Sequence, residues 1–109
     1  MRRRRHKKVL KATKGFRGTN RRLFKRAQEA LLHSGQYAYI GRKLRKRDMR
    51  KLWIMRINAA VRQIDPALTY SKLVNLMKKS EVALNRKMLA ELAVNTPSAF
   101  KSIVKQVRE

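Results

Sequence analysis

The residues that could do chemistry in this chain are its cations, and they come in runs. Arg2-Arg3-Arg4-Arg5-His6-Lys7-Lys8 is followed by Lys11, Lys14 and Arg17, then by Arg21-Arg22 and Lys25-Arg26. A third group runs from Arg42-Lys43 through Arg45-Lys46-Arg47 to Arg50-Lys51. Side chains of this type at this density bind phosphate, by direct pairing and by releasing the counterions that condense on a polyanion. A solvated helix face normally alternates sign, whereas only Glu29 and Asp48 interrupt these positive residues. In the 42–51 stretch cations occupy nearly every angle of a helix, an arrangement that suits phosphate on several sides at once. Aromatic residues lie in or beside the same segments. Phe16 has nothing local to pack on and favours an external partner, while Tyr37 and Tyr39 are open equally to packing and to stacking on unpaired bases. Trp53 lies on an apolar stripe and is expected to pack, with truncation to alanine costing about 3 to 5 kcal/mol if the ring is core.

Other chemistries are poorly supplied. Only His6 and His33 have side chains that ordinarily exchange protons near neutral pH, and the six acids are scattered singly, so no paired carboxylates and no metal cluster emerge. Gly15-Phe16-Arg17-Gly18 has the wrong pattern for a phosphate-cradling loop and follows no strand. No cysteine is present for a disulfide framework or a thiolate zinc site. No apolar run approaches the roughly 18 residues of a membrane span, and the basic start leads only to Val9-Leu10 where a secretory signal would need a longer apolar stretch. An enzyme is not expected, nor any cofactor.

The elements that must position the cations divide the chain. At 109 residues it is one domain's worth of sequence with room for one modest core. Residues 1–65 carry 22 Lys and Arg against 3 acids, and residues 66–109 carry 8 against 3, so most of the net charge of +24 lies in the first part. Apolar residues concentrate from Leu52 onward. The expected organisation is a basic helical arm over 1–51 and a small all-α domain over 52–109, bridged by one helix over 19–64.

Within the arm, residues 2–14 are helix-compatible with few apolar side chains, and Gly15 and Gly18 bracket a break. Thr19 or Asn20 reads as the cap of the long helix, which would extend about 69 Å at 1.5 Å per residue. A compact domain of this size has a radius of gyration of only about 13 Å, so such a helix must project beyond its globule. Its stripe is Met49, Leu52, Trp53, Ile57, Ala60, Val61 and Ile64, and Asp65-Pro66 ends it. Three short helices follow. Thr69 caps the first (Tyr70, Leu73, Val74, Met77), Asn85 the second (Met88, Leu89 and Leu92 inward), and Thr96-Pro97 opens the third (Phe100, Ile103, Val104, Val107).

Several segments also carry a resemblance. Arg3-Arg4-Arg5-His6-Lys7-Lys8-Val9-Leu10-Lys11, Lys14-Gly15-Phe16-Arg17-Gly18, Gln36-Tyr37-Ala38-Tyr39, Lys46-Arg47-Asp48, Leu52-Trp53-Ile54, Arg56-Ile57-Asn58-Ala59-Ala60, Tyr70-Ser71 and Leu84-Asn85-Arg86-Lys87-Met88-Leu89-Ala90 stand in one order. Together with Pro97 and Ala99-Phe100, they make the chain resemble the bacterial large-subunit ribosomal protein L-twenty family over essentially its whole length. The resemblance implies an all-α protein whose N-terminal arm penetrates large-subunit ribosomal RNA and whose C-terminal domain sits on an RNA surface. It implies a structural role early in subunit assembly, without catalysis, beside neighbouring large-subunit ribosomal proteins, not on a membrane and not as a homo-oligomer. Some members also bind their own messenger RNA. By matching motif, RNA contacts are expected at Arg3 to Lys8, Lys11, Lys14, Arg17, Lys46, Arg47 and Arg56, with Arg86 and Lys87 as the domain's own contribution. The location implied is the ribosome, in the bacterial cytoplasm or an organelle. The family's usual Arg-Asp after the second tyrosine is Ile40-Gly41 here, so contacts near Tyr39 do not carry over, and members usually begin several basic residues earlier.

The residues alone leave a rival, a DNA-compacting architectural protein, and more distantly a basic membrane-surface helix. A long arm charged on many sides favours folded RNA, which can enclose it, over the outer surface of a linear duplex. On this reading, affinity for RNA should fall by about 10³ to 10⁵ between 50 and 200 mM salt if 6 to 10 phosphates are contacted as in duplex DNA, measurable by filter binding.

Overall fold

A computed structural model describes all 109 residues and contains five α-helices, one 3₁₀ turn and no strand. The order is α1 (Arg2–Ala12), the 3₁₀ turn (Gly18–Arg21), α2 (Phe24–Ile64), α3 (Tyr70–Lys79), α4 (Arg86–Asn95) and α5 (Pro97–Arg108). Contacts divide the chain into two compact units, Met1–Arg45 and Lys46–Glu109, with the boundary inside α2.

The first unit has little apolar material to bury. Thr13 and Ala27 are its only fully buried residues. Thr13 closes α1 and turns its hydroxyl back onto the carbonyls of Val9 and Leu10, at 3.2 and 3.3 Å. The chain then bends through Gly15 (φ +90°) and Gly18 (φ +62°), backbone conformations that side-chain-bearing residues rarely adopt. The long helix does not start where the sequence suggested. Neither Thr19 nor Asn20 caps it. Residues 18–21 form the 3₁₀ turn instead, the Thr19 carbonyl accepts from the amides of Arg22 and Leu23 (both 3.0 Å), and α2 begins at Phe24. Phe16, expected to find nothing local, is half-buried.

The second unit is an ordinary small helical core. Ile57 and Val61 of α2, Leu68 of the following turn, Leu73 and Met77 of α3, Leu89 and Ala90 of α4, and Phe100, Val104 and Val107 of α5 are buried together. Trp53 is half-buried and packs against this cluster from its edge, so the cost of removing the ring falls below the fully buried figure. Met88, expected inward, is 48% exposed; the buried residues of α4 are Leu89 and Ala90.

The ends of the short helices are satisfied in three different ways. Asn85 caps α4 as its position suggested, accepting from the amide of Met88 at 2.9 Å. Thr69 occupies the cap position of α3 but offers no side-chain bond. The first-turn amide of Tyr70 is met from another element, by Oδ1 of Asn58 on α2 at 3.2 Å. Thr96 ends α4 and begins α5, with Pro97 at the first helical position, where a missing N–H costs nothing. At the far end of α3, the amide of Val82 reaches the Met77 carbonyl (3.1 Å) and that of Glu81 the Lys78 carbonyl (3.3 Å), a Schellman closure. Its left-handed residue is Glu81, at φ +55°, where glycine is the usual occupant. Asp65 fixes the α2–α3 turn by accepting from the Ala67 amide at 2.9 Å and pairing with Arg108 at 3.0 Å.

Two substitutions should therefore move stability in opposite directions. Asn58→Ala removes a cap and is expected to cost about 1 kcal/mol. Glu81→Gly relieves the left-handed strain and is expected to add about 0.5 to 1 kcal/mol. Thermal unfolding of the full chain in RNA-free buffer reads both.

Candidate nucleic-acid interface

The interface is built first by the absence of internal partners. Met1–Arg45 carries 16 Lys and Arg against Glu29 alone, a net +15, and Lys46–Glu109 carries 14 against five acids, a net +9. Only two ion pairs form in the whole structure. Arg26 reaches Glu29 at 3.5 Å one turn along an exposed helix face, a pair of the kind worth a few tenths of a kcal/mol, and Arg108 reaches Asp65. Every other cation is without a carboxylate partner. Coulomb repulsion within each unit is therefore relieved only by solvent and by whatever anion lies outside.

Position by position, the structure places the expected contacts as follows. Arg2 to Arg5, Lys7, Lys8 and Lys11 are exposed along α1. Lys14 and Arg17 flank the glycine bend, Arg21 and Arg22 the 3₁₀ turn, and Lys25 and Arg26 the first turn of α2, all exposed. His6 differs. Its ring stacks on Phe24, centroids 3.8 Å apart and planes 16° from parallel, so one face of the imidazole is covered by the chain itself. This contact between α1 and the start of α2 was not legible from charge patterning, because it pairs residues 18 apart across a turn.

From Leu32 to Asp48 every residue of α2 is exposed. This stretch includes Leu32 at 69%, Tyr37 at 70% and Tyr39 at 52% exposure. Lys43 sits over the Tyr39 ring at 4.3 Å, which holds one face of that ring against a cation while Tyr37 is left free. Arg42, Lys43, Arg45, Lys46, Arg47, Arg50 and Lys51 are helical throughout and, at 100° per residue, leave no angular gap wider than about 120° around α2. The one acid, Asp48, falls in that gap. Such a helix presents positive charge to nearly its whole circumference.

In Lys46–Glu109 the contacts expected beyond the long basic run are Arg56, Arg86 and Lys87. Arg56 and Lys87 are exposed, and Arg86 is half-buried. The Nε of Arg86 donates to the hydroxyl of Tyr70, whose own amide is the one Asn58 caps. Asn58, Tyr70 and Arg86 thus form a chain of contacts from α2 through α3 to α4. Sequence reading placed all three residues in matching segments without revealing that they serve one another. No group of three or more His, Asp or Glu side chains comes together in a metal-binding arrangement. No helix is long and apolar enough to cross a membrane.

What fold and surface define together is a class: an all-helical, strongly basic protein whose cations are committed outward. Comparison with known proteins gives that class its family. Residues 1–103 match the family model described as Ribosomal protein L20. The chain is 52% identical over 102 residues to the large ribosomal subunit protein bL20 of Caldanaerobacter subterraneus subsp. tengcongensis. It is 53% identical over the same span to the proteins of that name from Clostridium botulinum strain Hall and Thermoanaerobacter pseudethanolicus. Each alignment covers 94% of this chain and 84% of the relative. The chain belongs to the ribosomal protein L20 family, a family of structural proteins of the large ribosomal subunit without enzymatic activity. The DNA-compacting alternative falls to this match.

Tyr70→Phe is expected to release Arg86 and to cost about 1 kcal/mol of stability, one hydrogen bond's worth. Thermal unfolding measures the loss, and an RNA titration of the same variant should show weaker binding with an unchanged number of salt-sensitive contacts.

Proposed function

We propose that this chain binds large-subunit ribosomal RNA directly through Met1–Lys51, holds RNA helices together where their phosphates would otherwise repel, and supports early assembly of the subunit. The observation that carries this reading is the uninterrupted exposure of α2 from Leu32 to Asp48. A helix with no packing partner over seventeen residues draws little stability from its own chain, since most helical stability in proteins comes from tertiary burial. Leucine and tyrosine side chains left open there point to a partner that covers them. The partner must also supply negative charge on several sides, and folded RNA does both.

The contacts are Arg2 to Arg5, Lys7, Lys8, Lys11, Lys14, Arg17, Arg21, Arg22, Lys25, Arg26, Arg42, Lys43, Arg45, Lys46, Arg47, Arg50 and Lys51, with Phe16 and Tyr37 against bases or riboses. His6 takes part as the packed element that closes α1 onto α2. Residues 52–109 form a seat on the RNA surface through Arg56, Arg86 and Lys87, and neighbouring large-subunit proteins are its protein partners. The chain works as one copy per subunit, in bacterial cytoplasmic ribosomes, without a membrane or a cofactor.

Sedimentation of a bacterial extract containing the tagged chain tests the proposal. Stoichiometric recovery with the large subunit after a moderate salt wash is the expected result. Recovery in nucleoid or free fractions would overturn it.

A further inference from the structure

Within Lys46–Glu109, α2 and α4 enclose a surface groove of about 450 Å³, in the range of ligand sites. Its lining brings together Trp53, the chain's only tryptophan, the cations Arg56 and Lys87, and the acid Glu91. Val94, on the α4 side, is 56% exposed, so the groove is open to solvent along an apolar wall. Neither Arg56 nor Lys87 forms an ion pair or hydrogen bond with the chain. Glu91 forms none either, although it lines the same groove as both cations. Two neighbouring clefts lack this combination. The one beside the α2–α3 turn has its charges paired as Asp65–Arg108, and the cavity beneath Tyr70 has its hydroxyl committed to Arg86.

We propose that this groove receives a single unstacked nucleotide of RNA, its base lying against Trp53 and its phosphate held by Arg56 and Lys87. The proposal rests on the RNA-binding reading above and adds that the domain recognises a base turned out of a helix, not a duplex surface. An indole half-buried between two helices is inaccessible to a base still paired within a duplex, whose faces are covered by its neighbours. An extruded base offers a free face, and stacking on an aromatic ring tolerates any base. Charge complementarity selects the occupant: two free cations beside an aromatic surface match a phosphate attached to a base. Glu91 adds a preference, because its carboxylate accepts from the exocyclic amino group of adenine, cytosine or guanine and finds none on uracil.

The test uses the full-length protein and a transcript of bacterial large-subunit ribosomal RNA, with Trp53 as the sole indole reporter. At saturation its emission should fall, since a nucleobase stacked on indole quenches it. Quenching by acrylamide should weaken. Irradiation at about 254 nm should leave a nucleotide adduct on the Trp53 peptide, a bond that forms only between groups in contact. Arg56→Ala with Lys87→Ala should lower the log–log salt slope of binding by about 1, the one phosphate they share, and restore the free-state emission at saturating RNA. Saturable binding with unchanged Trp53 emission overturns the groove and leaves the RNA-binding reading standing. So does an emission change without a Trp53 adduct while Phe16, Tyr37 or Tyr39 is adducted. Protection of Trp53 that requires added ribosomal proteins makes the groove a protein interface and also overturns the proposal. Absence of saturable binding would instead sink the RNA-binding reading itself.

Discussion

Uncompensated positive charge is the constraint on which the rest of this structure depends. A chain of net charge +24 that forms only two internal ion pairs has left its electrostatic energy to be settled by its surroundings. That choice explains the sparse first unit, in which Thr13 and Ala27 are the only fully buried residues. Burying more apolar surface there would draw cations closer together, so only small side chains are fully buried, beside half-buried larger ones such as Phe16 and the ring-on-ring contact between His6 and Phe24. The two positive-φ glycines allow the chain to reverse direction with almost no core to enforce the turn.

The second unit solves the opposite problem. It has a conventional core, centred on Phe100 and Ile57, but its helices α3 to α5 are only ten to twelve residues long. Helices so short are marginal alone, which puts weight on how their ends are satisfied. Asn58, reaching across from α2 to the first turn of α3, and Asp65, shared between a turn amide and Arg108, bind separate elements into one body. Each does so with a short polar side chain whose partner lies in another element or turn.

Much of this was legible in the sequence, and the exceptions have physical causes. The apolar stripes of α3 and α5, the cap at Asn85, the proline at the start of α5 and the stop at Asp65 follow from local rules about spacing and backbone freedom, so they can be read locally. The start of α2 could not. Thr19 and Asn20 have good capping chemistry, but they lie inside a 3₁₀ turn whose Thr19 carbonyl accepts from the amides of Arg22 and Leu23, and the helix is delayed to Phe24. Glu81 gives no sign of its left-handed conformation, because glycine is the residue by which such positions are recognised. Met88 is exposed where its spacing suggests burial, because α4 turns to the core an edge that includes the small Ala90. In the interface, the cationic runs were evident from composition. The groove at Trp53 was not, since it requires α2 and α4 side by side, an arrangement that no spacing within either helix encodes.

The bare stretch of α2 also bears on the life of the chain before it finds its place. A helix held by no tertiary packing opens locally at little cost in free energy, and local opening is what admits a protease. Between Leu32 and Asp48 such openings would uncover Arg42, Lys43, Arg45, Lys46 and Arg47, a dense set of sites for enzymes that cut after basic residues. Once enclosed, the same backbone is sheltered. The segment proposed to lie within RNA is thus the one that exposes a surplus copy to degradation, a route by which turnover, not synthesis alone, sets how many copies persist.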